Sequence, residues 1–570
     1  MRRIQNLILF FGFFLGVTSC SNIDVNDRII IEAVDPLFKV FRENSYFPSF
    51  VKAEADVARG EFATLQFAVR SNFAIHSLQV SVENARLDEW ELPVAEVGYV
   101  GYVSVERIQS NPSRDRLSSL SGYYPDPILP ETEIDVRPGE TQPVWVSIPV
   151  PKDATPGKYS GKVIFSGKLE GKSFSIEKDY TVNVFQVVVN KPRLLVTNWF
   201  GILPSFIHEE ENIDKFSDKY WDFVKALAVI LSSHCNNVPY VSFIENLRFE
   251  WTGSEWQIDF SHFDKMVEIF KEAGGMDRIE GSHIAWYREN PGHYELTVPE
   301  LDKEGKVVMK YYPLSDRKTK DFYRFLMPAF QNHLKEKGWD KIYMQHISDE
   351  PHYTLAKKYA EVALFIKSIV PEMKLIDAMD GYEVARAAET SDFSDVWVPM
   401  IHQYDMHQDF YREQQKEGDE LWFYTCMWPQ DEYANRFLEL PLLKTRYIHW
   451  LNFKYNATGY LHWGLNWWKE NKTGGPFSET TEFQARYGVA LPGGDIWIIY
   501  PYKGELIGSI RLDAMRDGIF DHELLKMYEE KEPEKAKELC NRLVQSFTGY
   551  DMSILSFRQA RRELLQGLSN

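Results

Sequence analysis

The chain predicts α/β plus all-β architecture in series: a β-sandwich, then a (β/α)8 TIM-like barrel, then a helical C-terminal segment. Three observations carry this. At 570 residues the chain is too long for one small core and calls for two or more domains. From Asn22 to about Asn190 the pattern has period two, is rich in turns and holds no helical stripe. From Lys191-Pro192 onward, short apolar runs alternate with amphipathic stretches through eight strand–helix units, and an alternation of that length closes a parallel barrel. The expected divisions are residues 1–20, 22–190, 191–512 and 513–570.

The first twenty residues are an address rather than fold. Arg2 and Arg3 precede an apolar run from Leu7 to Val17, and Val17-Thr18-Ser19-Cys20 resembles the cleavage box of bacterial lipoproteins. Cys20 is then the lipidated first residue of a mature chain held at the bacterial cell envelope, on the periplasmic side or the outer surface. An ordinary cleaved signal is the alternative. The run is too short to span a bilayer with its own stop signal. Cys235, Cys426 and Cys540 are too scattered for a disulfide framework or a zinc pattern.

Ala63–Arg70, Leu78–Val82, Val144–Ile148 and Lys162–Phe165 read as half-buried strands, with turns at Pro138-Gly139 and Pro156-Gly157. Ser119–Glu131 reads as a Pro-rich aromatic loop. In the barrel, strands are expected at Leu194–Trp199, Val238–Phe243, Ile279–Trp286, Ile342–Ile347, Leu375–Ala378, Val396–Met400, Leu421–Cys426 and Gly459–Trp463. Helices are expected at Asp214–Ser232, Ser261–Ala273, Ser315–Lys337, Leu355–Ile369, Glu383–Ala388, Asp409–Lys416 and Leu438–Lys454, with Tyr287–Tyr312 an insertion. The tail, Asp513–Leu568, is expected to pack on the outside of the barrel.

A formal charge of −19 excludes nucleic-acid binding and a polybasic membrane patch, leaving the lipid anchor as the expected membrane contact. There is no GxGxxG, P-loop, H-E-x-x-H or G-x-S-x-G, and no cofactor or metal is expected. Asp377, Asp380, His402 and His346 could hold a cation, but their spacing does not demand one. Fourteen of the sixteen tryptophans stand at Trp199 or later. The carboxyl ends of the barrel strands gather Asn198-Trp199, His283, Trp286, His346, Asp349, Glu350, Asp377, Asp380, His402, Tyr404, Tyr424, Trp428, Trp463, Asn466 and Trp467. Tryptophans around carboxylates, with Asn, His and Tyr beside them, are the composition of a sugar site. Flat rings cover apolar sugar faces, and polar groups meet the hydroxyls. Substrate contacts are expected from Asn198, His346, Tyr404, Tyr424, Trp428, Trp463, Asn466 and Trp467.

The fourth strand ends in Asp349 and Glu350, stopped by Pro351, which is expected to hold Glu350 extended. An ordinary glycosidase pair stands roughly 5–9 Å apart across the bond, which neighbouring residues on one strand do not supply. Adjacent carboxyls suit substrate-assisted chemistry, in which a 2-acetamido oxygen attacks the anomeric carbon. One carboxyl then protonates the leaving oxygen and the other balances the oxazolinium. Tyr404 and Tyr424 are the candidates to hold the acetamido oxygen.

These features resemble glycoside hydrolase family 123. The resemblance rests on Ser348–Pro351 (SDEP), Gly122–Pro127 (GYYPDP), Pro156-Gly157-x-Tyr159-x-Gly161 and Arg511–Leu525 (RLDAMRDGIFDHELL). It covers nearly the whole mature chain. It implies a β-N-acetylgalactosaminidase with Asp349 orienting the acetamido group and Glu350 as acid/base. A different amino-sugar specificity is one alternative, and a non-catalytic glycan-binding lipoprotein is the other. The leader generates one expectation testable without structure. Cys20→Ala should leave an uncleaved or mislocalised precursor, while a chain starting after Cys20 should stay soluble and folded, as fractionation and circular dichroism would show.

Overall fold

The computed structural model describes residues 25–45, 47, 52–106, 111–208, 212–289, 292–379, 381–468, 477–479, 483–484 and 489–569. The leader with Cys20, and Asp380, lie outside the described residues. No helix among the described residues is long and apolar enough to cross a membrane.

The N-terminal region is two facing sheets. One runs in the order Ile29–Val34, Phe62–Ser71, Thr141–Pro149, Glu96–Val105, with Gly122–Leu129 also paired to Glu96–Val105. The other runs Glu54–Arg59, Lys172–Val188, Gly157–Leu169, Ile75–Val82, Ile134–Val136. Inward residues such as Phe67, Val144, Val163, Phe165 and Val182 fill the space between them, and the Phe67 and Phe165 rings meet edge-on at 5.4 Å. The sandwich is not wholly antiparallel, since Glu54–Arg59 pairs in parallel with Lys172–Val188. One expectation changes. The GYYPDP stretch is a strand, Gly122–Leu129, and not a loop. Its prolines are tolerated because it lies beyond the edge of the ladder, where Ile128 N donates to Gly508 O at 3.1 Å.

The second region is the expected barrel. Its strands are Leu195–Asn198, Tyr240–Val241, Ile279–Gly281, Tyr343–Gln345, Lys374–Met379, Val396–Pro399, Glu420–Thr425 and Gly459–His462. Each strand pairs in parallel with its sequence neighbour from the second to the eighth, and the eighth pairs with the first. Asn237 closes the seam between the first and second. Its Oδ1 accepts from Val196 N at 2.8 Å, its Nδ2 donates to Leu194 O at 3.0 Å, and Val238 N reaches Val196 O at 3.1 Å. Met344, Ile376, Val396, Val398, Trp422, Tyr424 and Leu461 fill the interior. Gly459 makes room for Trp422, since a Cβ there would come within 2.2 Å of the indole. The third strand stops at Gly281, so Trp286 is not at its end. Ala285–Arg288 instead joins His293–Leu301 and Val307–Pro313 in a three-stranded antiparallel sheet.

The C-terminal segment is helical, as expected, and its first helix takes a place in the barrel wall. Helix Ile510–Lys531 runs unbroken through the expected boundary at residues 512/513 and is the barrel's eighth helix. It lies between the first and seventh: Asp513 meets His234, the C-cap of Asp218–Ser233, at 3.2 Å, and Asp521 accepts two bonds from Arg446 of Leu442–Lys454 at 2.6 and 3.0 Å. Its outer side is covered by the sandwich, whose Trp145 donates to Asp513 at 2.8 Å. A helix buried on every side must pair its charges. Arg511, fully buried, donates two bonds to Asp126 of the sandwich strand at 2.9 and 2.8 Å, and others to the carbonyls of Arg436, Gly494 and Trp497. Arg561 of the last helix, Ile554–Ser569, adds a bond to Asp521 at 2.9 Å and another to the carbonyl of Asp56 at 2.6 Å. Breaking a buried pair by removing one partner strands the other charge and costs about 3–5 kcal/mol. Arg511→Met should therefore lower the urea unfolding midpoint strongly, and adding Asp126→Asn should recover part of the loss.

Candidate active site

The fourth strand delivers His346–Pro351 to the carboxyl end of the barrel, as expected. The segment is held from both sides. Ile284 N and Ala285 N donate to Ile347 O at 3.2 and 2.8 Å. From the fifth strand, the Asp377 carboxylate accepts from Ile347 N at 3.0 Å, from Ser348 N at 3.4 Å and from the Tyr359 hydroxyl. Asp349 beyond this clamp is exposed and Glu350 half-buried. Tyr424, at the end of the seventh strand, donates its hydroxyl to Glu350 Oε1 at 2.7 Å. Pro351 does not keep Glu350 extended. Glu350 has φ +40°, in the left-handed region that side chains other than glycine's enter at a cost.

Below the two carboxyls lies a buried charge cluster. His346 Nδ1 meets Asp377 Oδ1 at 2.7 Å and Nε2 meets Glu280 Oε1 at 2.6 Å, and all three side chains are inaccessible. Burial alone would depress the imidazole pKa, but the two carboxylates outweigh it and raise it to about 10. Burial pushes the Asp377 carboxyl upward, with the imidazolium opposing. Glu280 also accepts from Thr197 Oγ1 at 2.5 Å and Trp199 Nε1 at 2.9 Å, joining the first strand to the third and fourth. His283 packs 4.6 Å from the His346 ring, and burial together with that neighbouring cation keeps it neutral. Donor atoms of His283, His346 and Asp377 lie within 4.8 Å of one another, a spacing metals use. Here both nitrogens of His346 already face carboxylates, so hydrogen bonds account for the cluster. The Tyr240 hydroxyl reaches His283 Nδ1 at 3.4 Å, and burial, then Glu280 and Asp349, raise its pKa. Burial, then Glu350, does the same to Tyr424.

A profile of the glycoside hydrolase 123 catalytic domain matches residues 206–528, more than half of the chain. The family's N-terminal domain profile matches residues 49–166. The chain belongs to glycoside hydrolase family 123. It is a glycosidase acting on glycans. Among solved structures it is similar to a family 123 glycoside hydrolase from Clostridium perfringens, described for glycolipid glycan hydrolysis. That match has 17% identity and TM-score 0.68, covering 95% of this chain and 97% of the other. Two others match with low TM-scores. Bacteroides uniformis β-glucuronidase 3 has 9% identity and TM-score 0.25, covering 77% of this chain and 46% of its own. An endo-β-1,4-mannanase from Thermotoga petrophila has 10% identity and TM-score 0.34, covering 59% and 77%. No curated protein matches the chain in sequence.

In this family 123 barrel the residues expected to touch substrate separate into two groups. Tyr424 is at the carboxyls. Trp428, Trp463 and Trp467 are half-buried at the ends of the seventh and eighth strands, and Trp467 donates to Trp463 O at 2.6 Å. The others are inside the fold. Asn198 is buried, donating to Asn236 Oδ1 at 2.5 Å and accepting from Arg436 at 2.7 Å. Asn466 is spent on Gly201, accepting from its N at 2.8 Å and donating to its O at 2.9 Å. His346 is inaccessible within its carboxylates. Tyr404 lies on the wrong side of the sheet. It sits on helix Ile401–Met406 against Phe423, 4.9 Å away, and Phe423 points opposite to Tyr424. Asp377, read from the sequence as a possible cation holder, is committed to the clamp. Burial holds His402 neutral, with a pKa near 4. Glu280, Tyr240, Tyr359 and Arg436 were not anticipated. A lone carboxylate inside the apolar Ile279–Gly281 strand was the one readable sign.

Because the folded-state pKa of His346 lies above its ordinary 6.5, its stabilisation is complete below about pH 6.5 and fades as pH rises toward 10. The stability gap between the wild type and His346→Gln should therefore shrink between pH 6 and pH 9.5, as urea midpoints at both values would report.

Proposed function

We propose that the protein releases terminal β-linked N-acetylgalactosamine from glycans by a retaining, substrate-assisted mechanism. The observation that carries this is the placement of Asp349 and Glu350 side by side at one strand end, while the interior carboxylates Glu280 and Asp377 are bound to His346. The acetamido carbonyl oxygen attacks C1, and Glu350 passes its proton to the leaving glycosidic oxygen. Asp349 accepts from the acetamido N–H and balances the oxazolinium cation. Glu350 then takes a proton from the water that reopens the ring, regenerating the acid and the β-anomer. The Tyr424 hydroxyl steadies Glu350, and the half-buried tryptophans offer faces for the sugar. The Clostridium perfringens enzyme of this family is described for glycolipid glycan hydrolysis, and glycans of that class are the proposed source of the terminal sugar. In this reading Cys20 anchors the mature chain there by its lipid.

A panel of aryl β-glycosides of N-acetylgalactosamine, N-acetylglucosamine, galactose and glucose tests the specificity, the first being the expected substrate. Glu350→Gln should lose about 10²–10⁴-fold on glycosides with poor leaving groups and much less on nitrophenyl glycosides. Asp349→Asn should bind product sugar yet turn over slowly, and a thiazoline mimic should bind at least about 10²-fold tighter than substrate. A covalent sugar adduct on Asp349, trapped with a 2-fluoro sugar, would refute the acetamido nucleophile.

A further inference from the structure

The three-stranded sheet inserted after the third barrel strand has two unlike faces. Tyr294, Leu296 and Val298 alternate along its middle strand and are buried against the barrel. The opposite face carries Trp286, Arg288 and Tyr311. Trp286 is in register with Glu295, and Tyr311 with Thr297 two residues further on. Trp286 is 44% exposed and Tyr311 46%, both large for aromatic side chains. The polar groups between them are already organised. Arg288 lies over the Tyr311 ring, 4.9 Å from its centroid, and donates to Glu295 Oε2 at 2.8 Å. His293 Nε2 meets the other Glu295 oxygen at 3.4 Å.

This face is continuous with the catalytic segment. The backbone of Ile284 and Ala285, immediately before Trp286, is hydrogen-bonded to Ile347, two residues before Asp349. The Trp286 ring is 6.5 Å from His283, whose ring in turn lies tilted 4.6 Å from that of His346. From the carboxyls outward, the surface passes from Trp286 across a fixed carboxylate–guanidinium pair to Tyr311. Their backbone positions are two inter-strand spacings apart and offset by two residues along the strands, about 12 Å in all. A row of flat rings separated by oriented donors and acceptors fits consecutive sugar rings better than a hydrocarbon or a protein helix.

We propose that this face is the binding platform for the reducing-side portion of the glycan, the sugars that leave when the terminal residue is cut. Trp286 and Tyr311 stack on successive neutral hexoses, and the Arg288–Glu295 pair hydrogen-bonds their hydroxyls. The proposal rests on the amino-sugar glycosidase reading for the identity of the cleaved residue but not for the platform itself.

The test compares two substrates with one terminal sugar: nitrophenyl β-N-acetylgalactosaminide, and the trisaccharide in which N-acetylgalactosamine caps lactose. For Trp286→Ala and Tyr311→Ala, the fall in kcat/KM should be about tenfold greater on the trisaccharide than on the nitrophenyl glycoside, a factor typical of losing one stacked aromatic face. Equal falls on both, or none, would overturn the proposal. Calorimetric titration of lactose into the wild type and Tyr311→Ala reads the platform without catalysis. Weak wild-type binding that Tyr311→Ala abolishes supports it, and no wild-type binding overturns it. A wild type that cuts neither substrate but binds lactose through Tyr311 sinks the proposed reaction and leaves the platform standing. Sedimentation velocity covers the other occupant: dimers that Tyr311→Ala converts to monomers would reassign the face to self-association. Unchanged unfolding midpoints confirm that both variants are folded.

Discussion

The imidazolium of His346, enclosed between Glu280 and Asp377, is the constraint on which the rest of the site depends. Each carboxylate also has work beyond the ion pair. Asp377 grips the backbone at Ile347 and Ser348, and Glu280 holds Thr197 and Trp199. Six residues from four barrel strands are thereby fixed around one buried charge. Such a cluster is a weak source of net stability, since desolvation offsets most of its attraction. Its effect is geometric: the segment presenting Asp349 and Glu350 has few positions in which those bonds all survive. The two carboxyls can then stay polar while their backbone is rigid.

A second constraint works from outside. The eighth barrel helix carries Arg511, Asp513, Arg516, Asp521, His522 and Glu523 buried along its length. Several of their partners belong to the sandwich or the last helix. Without the sandwich, Arg511 would lose the carboxylate of Asp126 and Asp513 would lose the Trp145 indole. The β region is therefore a structural wall of the barrel, which explains why motifs in GYYPDP and RLDAMRDG, hundreds of residues apart, occur in one chain. They are the two halves of one buried ion pair.

How much of this was legible in the sequence follows from which signals are local. The strand–helix alternation survives because 2.0 and 3.6 periodicities are fixed by backbone geometry, so all eight strands could be placed, and Asp349 with Glu350 at a strand end. The C-terminal segment was legible as helical but not as part of the barrel wall, because a helix buried all round by paired charges looks solvent-facing from its sequence. Gly122–Leu129 was misread as loop because proline signals turns, although an edge strand can hold it. Asn198 and Asn466 stand at strand ends like ligands, yet are spent on neighbouring loops, which only tertiary contacts reveal. Tyr404 and Tyr424 were equivalent by type and spacing, and one reversal of side-chain direction across the seventh strand separates them.

The left-handed backbone of Glu350 has an evolutionary consequence. Conformations of that kind cost an ordinary residue about 1–3 kcal/mol, which glycine would not incur. With Glu350 in its proposed acid/base role, selection for thermal robustness and selection for turnover pull in opposite directions at this position. A lineage, or a laboratory library, screened only for resistance to heat would drift toward glycine at residue 350 and lose the carboxyl. An acid at that position, against the preference of its own backbone, is what the acid/base role proposed for Glu350 requires.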